Sequence, residues 1–271
     1  MKRIIAGLAL ASAAALVTAT PAQAAPADPA KALKKQYVAG HGVRFTETSR
    51  SSMDGKSTGT MKTSGVLEFG RSGIVASDVR NRSTGKNADL YASLMPSRTI
   101  TVGKHVYAQG GLYSEGLPEG KKWVRYPDTG LRMSTSNQML DVFEPKVLKM
   151  LVSHAASTKG GTYRGSVTVK ELGKIYGQSV EKKIAKVKVS YLLAVNSKGL
   201  VTRVVSDWTL DFGVLGASHS TTETRFTGWG AKVKVKAPPA DQVADIADLA
   251  DDSAVPQDIP DGSLNSLGSI R

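Results

Sequence analysis

The run KVKVSYLLAVNSKGLVTRVVSDWTLDF, Lys186 to Phe212, decides the fold together with TTETRFTGWGAKVKVKAPPA, Thr221 to Ala240, which follows a glycine-rich turn. Val187, Val189, Tyr191, Leu193 and Val195 alternate with Lys186, Lys188 and Ser190. Period two puts the apolar side chains on one face of a strand and the polar ones on the other. Asn196 to Gly199 supplies a turn, with Gly199 free to take a positive φ. Leu200, Val204, Trp208, Leu210 and Phe212 mark a second strand, Thr221 to Phe226 a third, and Val233 and Val235 end a fourth. Hairpin-linked strands of this kind predict an antiparallel meander.

Upstream the same grammar recurs. Asp28 caps a short helix over Ala30 to Ala39, with Pro29 at its first position, Leu33, Tyr37 and Val38 as apolar contacts, and Gly40 as the stop. Val43 and Phe45 begin a strand that turns polar from Thr46 to Ser52. Met53 to Lys56 is an Asp-Gly hairpin turn, and Thr58 to Phe69 returns. Gly70 to Gly73 turns again into Ile74, Val75 and Val79. Arg80 to Asn87 is a polar tip. Leu90 to Val102 reads as a fourth strand broken at Pro96, followed by short strands at His105 to Tyr107 and Trp123 to Tyr126.

Asn137 to Ala156 has another period. Met139, Val142, Phe143, Val147, Met150 and Leu151 fall at helical spacing, and Leu148 and Val152 add a second stripe. Pro145 separates two segments and suits the first position of the second. A helix apolar over most of its circumference is buried or faces a cavity. It either packs on the sheet as a core helix or roofs a lipid-sized space, with Met133, Met139 and Met150 as an adaptable wall. Thr162 to Leu172 reads as a strand and Lys174 to Lys183 as a polar connector. Ala237 to Ala240, with two prolines, ends the sheet. Asp241 to Leu249 reads as an acidic amphipathic helix, and the chain beyond Asp251 as disordered. The order predicts an α+β fold: one large curved antiparallel sheet, a half-barrel, with helices covering its concave face. Residues 25–243 form a single domain in this reading, and 244–271 an acidic, disordered tail.

Met1 to Ala24 reads as a secretory signal peptide: Lys2 and Arg3, the apolar run Ile4 to Val17, and the small-x-small site Ala22-Gln23-Ala24. Cleavage near Ala24 would leave a soluble protein outside the cytoplasm, in the cell envelope. The chain has no cysteine, which excludes disulfides, thiolate metal sites and a cysteine nucleophile. Its net charge of +13 is uneven. Residues 31–240 hold 33 basic against 15 acidic side chains, near +18, whereas residues 241–271 hold seven Asp against Arg271. So basic a body attracts anionic head groups, wall polymers or its own tail. Export argues against nucleic acid as the partner, and a monomer is expected.

Motifs for catalysis are lacking. His41, His105, His154 and His219 show neither i, i+4 metal spacing nor an HExxH pattern, and there is no GxSxG elbow. Ser83-Thr84-Gly85-Lys86 matches S-x-x-K, but in a polar turn. Asp207 and Asp211 read as solvated strand residues. No catalytic residue, metal site or cofactor is expected, and no enzyme.

Several phrases occur in a familiar order: Val43 to Thr46 after the short helix, Gly65 to Gly70, Val102 to Tyr107 leading to Lys122-Trp123-Val124, Gly161 to Val167, Val195 to Arg203, and Val235 to Val243. From Lys31 to Val243 this resembles the LolA-like lipoprotein-carrier superfamily, in its LppX/LprG-type actinobacterial branch. The resemblance implies a half-barrel whose concave side holds acyl chains, in proteins that ferry lipids or lipidated molecules across the envelope. Many relatives carry a lipobox cysteine, and Thr20 to Ala25 has none, which implies an untethered carrier. On that reading Met139, Phe143, Val147, Met150 and Leu151 from the helix, and Val187, Tyr191, Leu193, Trp208 and Phe212 from the sheet, line an apolar cavity for a lipid or acylated molecule. The alternative is a non-enzymatic envelope protein that binds wall polyanions, or docks a membrane regulator, through its basic surface.

Overall fold

The computed structural model describes residues 27–127, 137–249 and 255–258. The expected signal peptide, Met133 and the chain end 259–271 lie outside the described residues. Asp28 caps α1 (Pro29–Gln36): its Oδ1 accepts from the backbone N–H of Ala30 at 2.9 Å and of Lys31 at 3.2 Å, with Pro29 in the first turn. β1 (His41–Met53), β2 (Lys56–Phe69) and β3 (Ile74–Thr84) follow. Asp54 and Gly55 both take positive φ, 48° and 74°, which matches the twist of the β1–β2 hairpin. After β3 come α2 (Ala88–Leu94), β4 (Arg98–Val102), β5 (His105–Gln109), a 3-10 turn at Gly111–Ser114 and β6 (Trp123–Pro127). The helical insert contributes α3 (Pro145–Ser153). Then follow β7 (Ala155–Lys159), β8 (Thr162–Thr168), α4 (Val169–Tyr176), α5 (Lys182–Ala185), β9 (Lys188–Val195), β10 (Val201–Asp211), β11 (Ala217–Lys232) and β12 (Val243–Asp245).

These strands form one 12-stranded sheet in the order β12-β6-β5-β4-β3-β2-β1-β11-β10-β9-β8-β7. Neighbours are antiparallel except β12, which lies parallel to β6. β7 and β12 are its edges, so the sheet is open. The N-terminal meander and the late meander meet where β1 pairs with β11 from His41↔Lys232 to Met53↔Ser218.

One row of directly opposed residues crosses seven strands: Asn81, Thr63, Glu47, Thr224, Val204, Leu193 and Tyr163. It is polar on β3, β2, β1 and β11 and apolar on β10, β9 and β8. The apolar part shares a core with Ala30 and Leu33 of α1, Val147, Leu148 and Leu151 of α3, and Val169 and Leu172 of α4. We call this the inner face. On the outer face Ala76, Ile100, Tyr107 and Trp123 make a smaller core with Val233 and Val235. There residues 233–242 cross the sheet as a strap. The Val235 N–H donates to Glu68 Oε2 at 2.8 Å and the Lys122 N–H to the Gln242 carbonyl at 2.9 Å, and the strap thereby delivers β12 to β6.

Residues 90–102 are not one strand: Asn87 opens α2, which ends before Pro96, and β4 begins at Arg98. The strand expected over Thr162 to Leu172 stops at Thr168, the N-cap of α4. Its hydroxyl accepts from the Glu171 N–H while the Glu171 carboxylate accepts from the Thr168 N–H, a capping box, and Gly177 closes the helix in the left-handed region. Within the expected helix Asn137 to Ala156, only Pro145–Ser153 is helical. Glu144 Oε1 caps it on the Lys146 N–H, and residues 137–144 run irregularly. The third and fourth late strands are one long strand, β11, and Val233 and Val235 lie beyond it. Asp241 to Leu249 is no amphipathic helix but a 3-10 turn, β12 and a second 3-10 turn. The stretch expected as free tail from 244 onward starts inside the fold: Ile246 and Val255 are buried against Val106, Tyr113, Val124 and Tyr126.

Candidate functional site

The ten residues expected to line a cavity all belong to the inner-face core. Val147, Leu151 and Leu193 are fully buried and Tyr191 nearly so. Met139, Phe143, Met150, Val187, Trp208 and Phe212 are partly buried and pack against them. The structure brings all ten together, as a filled core. α3 packs directly onto the sheet, and the space nearest Val187 and Trp208 is a crevice too narrow for a water molecule, lined also by Val169, Ile184 and Leu210.

Three tyrosine hydroxyls fasten the covering segment by its main chain. Tyr37 donates to the Phe143 carbonyl at 2.5 Å, Tyr176 to the Met139 carbonyl at 2.9 Å, and Tyr191 to the Leu151 carbonyl at 2.5 Å. The Tyr176 oxygen also accepts from the Asp141 N–H at 2.9 Å. Burial pushes the Tyr191 hydroxyl up to about 12 and raises Tyr176 as well, since neither phenolate would be solvated. Both therefore stay protonated donors across the physiological range.

Where the row turns polar, a carboxylate is buried. Glu47 is 3% exposed. Its Oε2 accepts from Thr224 Oγ1 at 2.8 Å, and its Oε1 from the Asn137 N–H at 2.7 Å and from Asn137 Nδ2 at 3.2 Å. Ser49 and Thr222 share a hydrogen bond of 3.0 Å, and Thr63 donates to Asn81 Oδ1 at 3.0 Å. Gln138 Nε2 donates to the Thr222 carbonyl at 3.3 Å. The covering segment therefore holds to the sheet by apolar contacts and a tyrosine hydrogen bond on one half and by a polar network on the other. The reading of Thr46 to Ser52 as a polar run missed that Glu47 and Ser49 continue the inward parity of Val43 and Phe45. That parity was the available signal.

A group of rings closes one end of the core. Phe143 lies 5.5 Å from Phe226 and 5.8 Å from Trp229, and Phe69 lies 5.5 Å from Tyr37 and 5.9 Å from Trp229, centroid to centroid. Trp229 Nε1 donates to the Val201 carbonyl at 2.7 Å. Strand period does not foretell where Trp229 points, because the β1–β11 register shifts between Gly42↔Ala231 and Arg44↔Thr227, and Gly228 and Gly230 in that interval both have positive φ.

Ser83 donates to Met61 Sδ at 3.7 Å, and Lys86 is exposed in the turn after β3. His219 Nε2 lies 2.8 Å from Asp207 Oδ2, which also accepts from Thr221 Oγ1 at 2.6 Å. Ser218 projects to the opposite face. Among the described residues no group of His, Asp or Glu is placed to hold a metal ion, and no helix is long and apolar enough to cross a membrane.

Neither a protein-family model nor a curated protein matches the chain. Among solved structures it is similar to a LolA superfamily protein from Nitrosomonas europaea, at 7% identity over 76% of this chain and 93% of that one, with a TM-score of 0.29. It is also similar to a porin-like protein from Bacteroides uniformis, at 10% identity over 75% of this chain and 99% of that one (TM-score 0.24). A DUF1329 family protein from Desulfovibrio piger shares 12% identity over 77% of this chain and 92% of that one (TM-score 0.26).

Proposed function

We propose that the protein is an exported carrier of lipids or acylated molecules, a LolA-like half-barrel of the LppX/LprG type that works untethered after loss of residues 1–24. The fold from α1 through β12 and the 3-10 turn after it acts as a single carrier domain. The acyl chain lies between the apolar half of the inner face and the segment Met139 to Val152, against the ten residues named above. The observation that carries the reading is the way that segment is attached: apolar side chains on the core, and tyrosine hydroxyls on its carbonyls.

Such a cover is exchangeable on energetic grounds. Displacing Leu140, Val142, Val147, Leu148 and Leu151 costs roughly 8–15 kcal/mol, at about 1.5–3 kcal/mol each, which is comparable with what a bound acyl chain returns. An acyl chain of about 16 carbons taking their place contributes roughly 13 kcal/mol, at about 0.8 kcal/mol per methylene. The tyrosine hydroxyls and Glu47 regain water when the segment lifts, so their hydrogen bonds, about 1 kcal/mol net each, offset little of that gain. The closed state is then the empty carrier, and the acyl chain is its competitor for the inner face.

The test is lipid mass spectrometry on the protein purified from a membrane-containing host, paired with uptake of a fluorescent fatty acid. Stoichiometric acyl lipid in the extract and saturable uptake are expected. An empty extract together with no uptake overturns the reading.

A further inference from the structure

The outer face of β1 to β4 holds a trough of about 790 Å3 whose lining includes Thr46, Thr48, Lys62, Ser64, Arg80 and Arg82. Its side follows from exposure. Thr46, Lys62, Ser64, Arg80 and Arg82 are exposed, whereas Glu47 and Thr63, which also border it, are buried on the inner face. The register sets the charges against one another: Lys62 lies directly opposite Arg82, and Arg80 directly opposite Arg98. Like charges facing across a sheet are destabilising unless something neutralises them.

The nearby carboxylates are engaged elsewhere. Asp78 accepts from Arg98 Nε at 2.9 Å and from Nη2 at 2.7 Å, and the Arg98 guanidinium lies 5.4 Å from the centre of the Trp123 ring. Glu223, beside β1, pairs with Arg203 and Arg225. Among the described residues no carboxylate lies within ion-pair distance of Lys62, Arg80 or Arg82. Thr48 lies directly opposite Lys62 and Ser64 directly opposite Arg80, and with Thr46 they add small hydroxyls to the lining. Guanidinium groups and a lysine beside hydroxyls suit tetrahedral oxyanions, to which arginine donates in pairs of parallel hydrogen bonds. The volume exceeds one phosphate and matches a phosphorylated head group or a small phosphate ester.

We propose that this trough is a binding site for a phosphoryl-bearing ligand, with Arg80, Arg82 and Lys62 as the cations that hold it. It lies on the face opposite the acyl site and does not rest on the carrier reading.

The test titrates the full chain at low salt with pyrophosphate, by calorimetry, and with phosphatidylglycerol vesicles, by co-sedimentation. The Arg80→Gln/Arg82→Gln variant is compared with Lys170→Gln/Lys174→Gln on α4, which removes the same charge from another exposed site. Saturable binding weakened about tenfold or more by the first variant and unchanged by the second is expected. Pyrophosphate binding alone assigns the site to a soluble phosphate compound, and vesicle binding, with or without pyrophosphate, to a lipid head group. Either supports the proposal. A second readout is thermal: Arg82→Gln alone should raise the melting temperature of the free protein by relieving repulsion, and should reduce the further rise that pyrophosphate gives the wild type. Absence of saturable binding to both probes, or equal weakening by the two charge-removing variants, overturns the proposal.

Discussion

Tyr191 joins strand, cover and titration in one side chain. Its ring crosses Gly165, its register partner on β8, so closely that a Cβ there would meet the hydroxyl at 2.6 Å and the His154 carbonyl at 2.5 Å. Gly165 is thus a glycine because an aromatic ring occupies the place of its side chain, as Gly65 is beneath Phe45. Gly165→Ala should cost about 1–3 kcal/mol in chemical denaturation by forcing the ring off the core, whereas Gly160→Ala, in open space, should be felt only through its positive φ. Tyr191→Phe should lose about 1 kcal/mol, the hydrogen bond to Leu151 being replaced by an orphaned carbonyl. The pH dependence has a definite sign. A phenol pushed up to about 12 from its usual value near 10 contributes stability that is full below pH ~10 and is lost as the pH rises toward 12. Melting temperatures measured from pH 8 to 11.5 should therefore fall less steeply in Tyr191→Phe than in the wild type, and parallel curves would contradict the assignment.

Among the elements, α4 shows what period alone can hide. Val167, Val169 and Tyr163 continue a strand pattern into the helix, because a residue just past a cap can still sit on the sheet's apolar face. The capping box at Thr168 and Glu171, followed by Leu172 and Gly177, carried the opposite message. Thr168→Ala should cost about 1 kcal/mol and lower the helical signal in circular dichroism. Glu171 is held below the ordinary carboxylate range, first by the Thr168 hydroxyl. Glu223 is held down chiefly by Arg203 and Asp245 chiefly by Arg125. Depressed carboxylates contribute stability that is present above their unfolded values, near pH 4, and is lost as the pH falls below it. Thr168→Ala should accordingly flatten the acid limb of a stability–pH profile. The hairpins were easier to read than the helices, because Asp54-Gly55 and Asn196 to Gly199 announce turns locally. The strap from Val233 to Gln242 depends on contacts between distant segments that no local pattern encodes. The acidic residues after 240 illustrate the same point: Asp245 reads as tail by composition, yet it pairs with Arg125 and sits in a strand.

For the whole molecule, the inner face is divided. Its β8 to β10 half is apolar and shares a core with residues of α1, α3 and α4, and its β1 to β3 half is hydroxyl-rich around a buried carboxylate. The ten side chains foreseen in the sequence come together there, and the added features, Glu47 and the rings around Trp229, belong to the same surface. We propose that an acyl chain and α3 compete for that surface. Amide hydrogen exchange of the full protein, followed with and without a saturating lysophospholipid below its micellar concentration, tests it most directly. Residues 145–153 should lose protection when the lipid is present, while β9 and β10 keep theirs. Unchanged or increased protection of residues 145–153 with the lipid bound would contradict it.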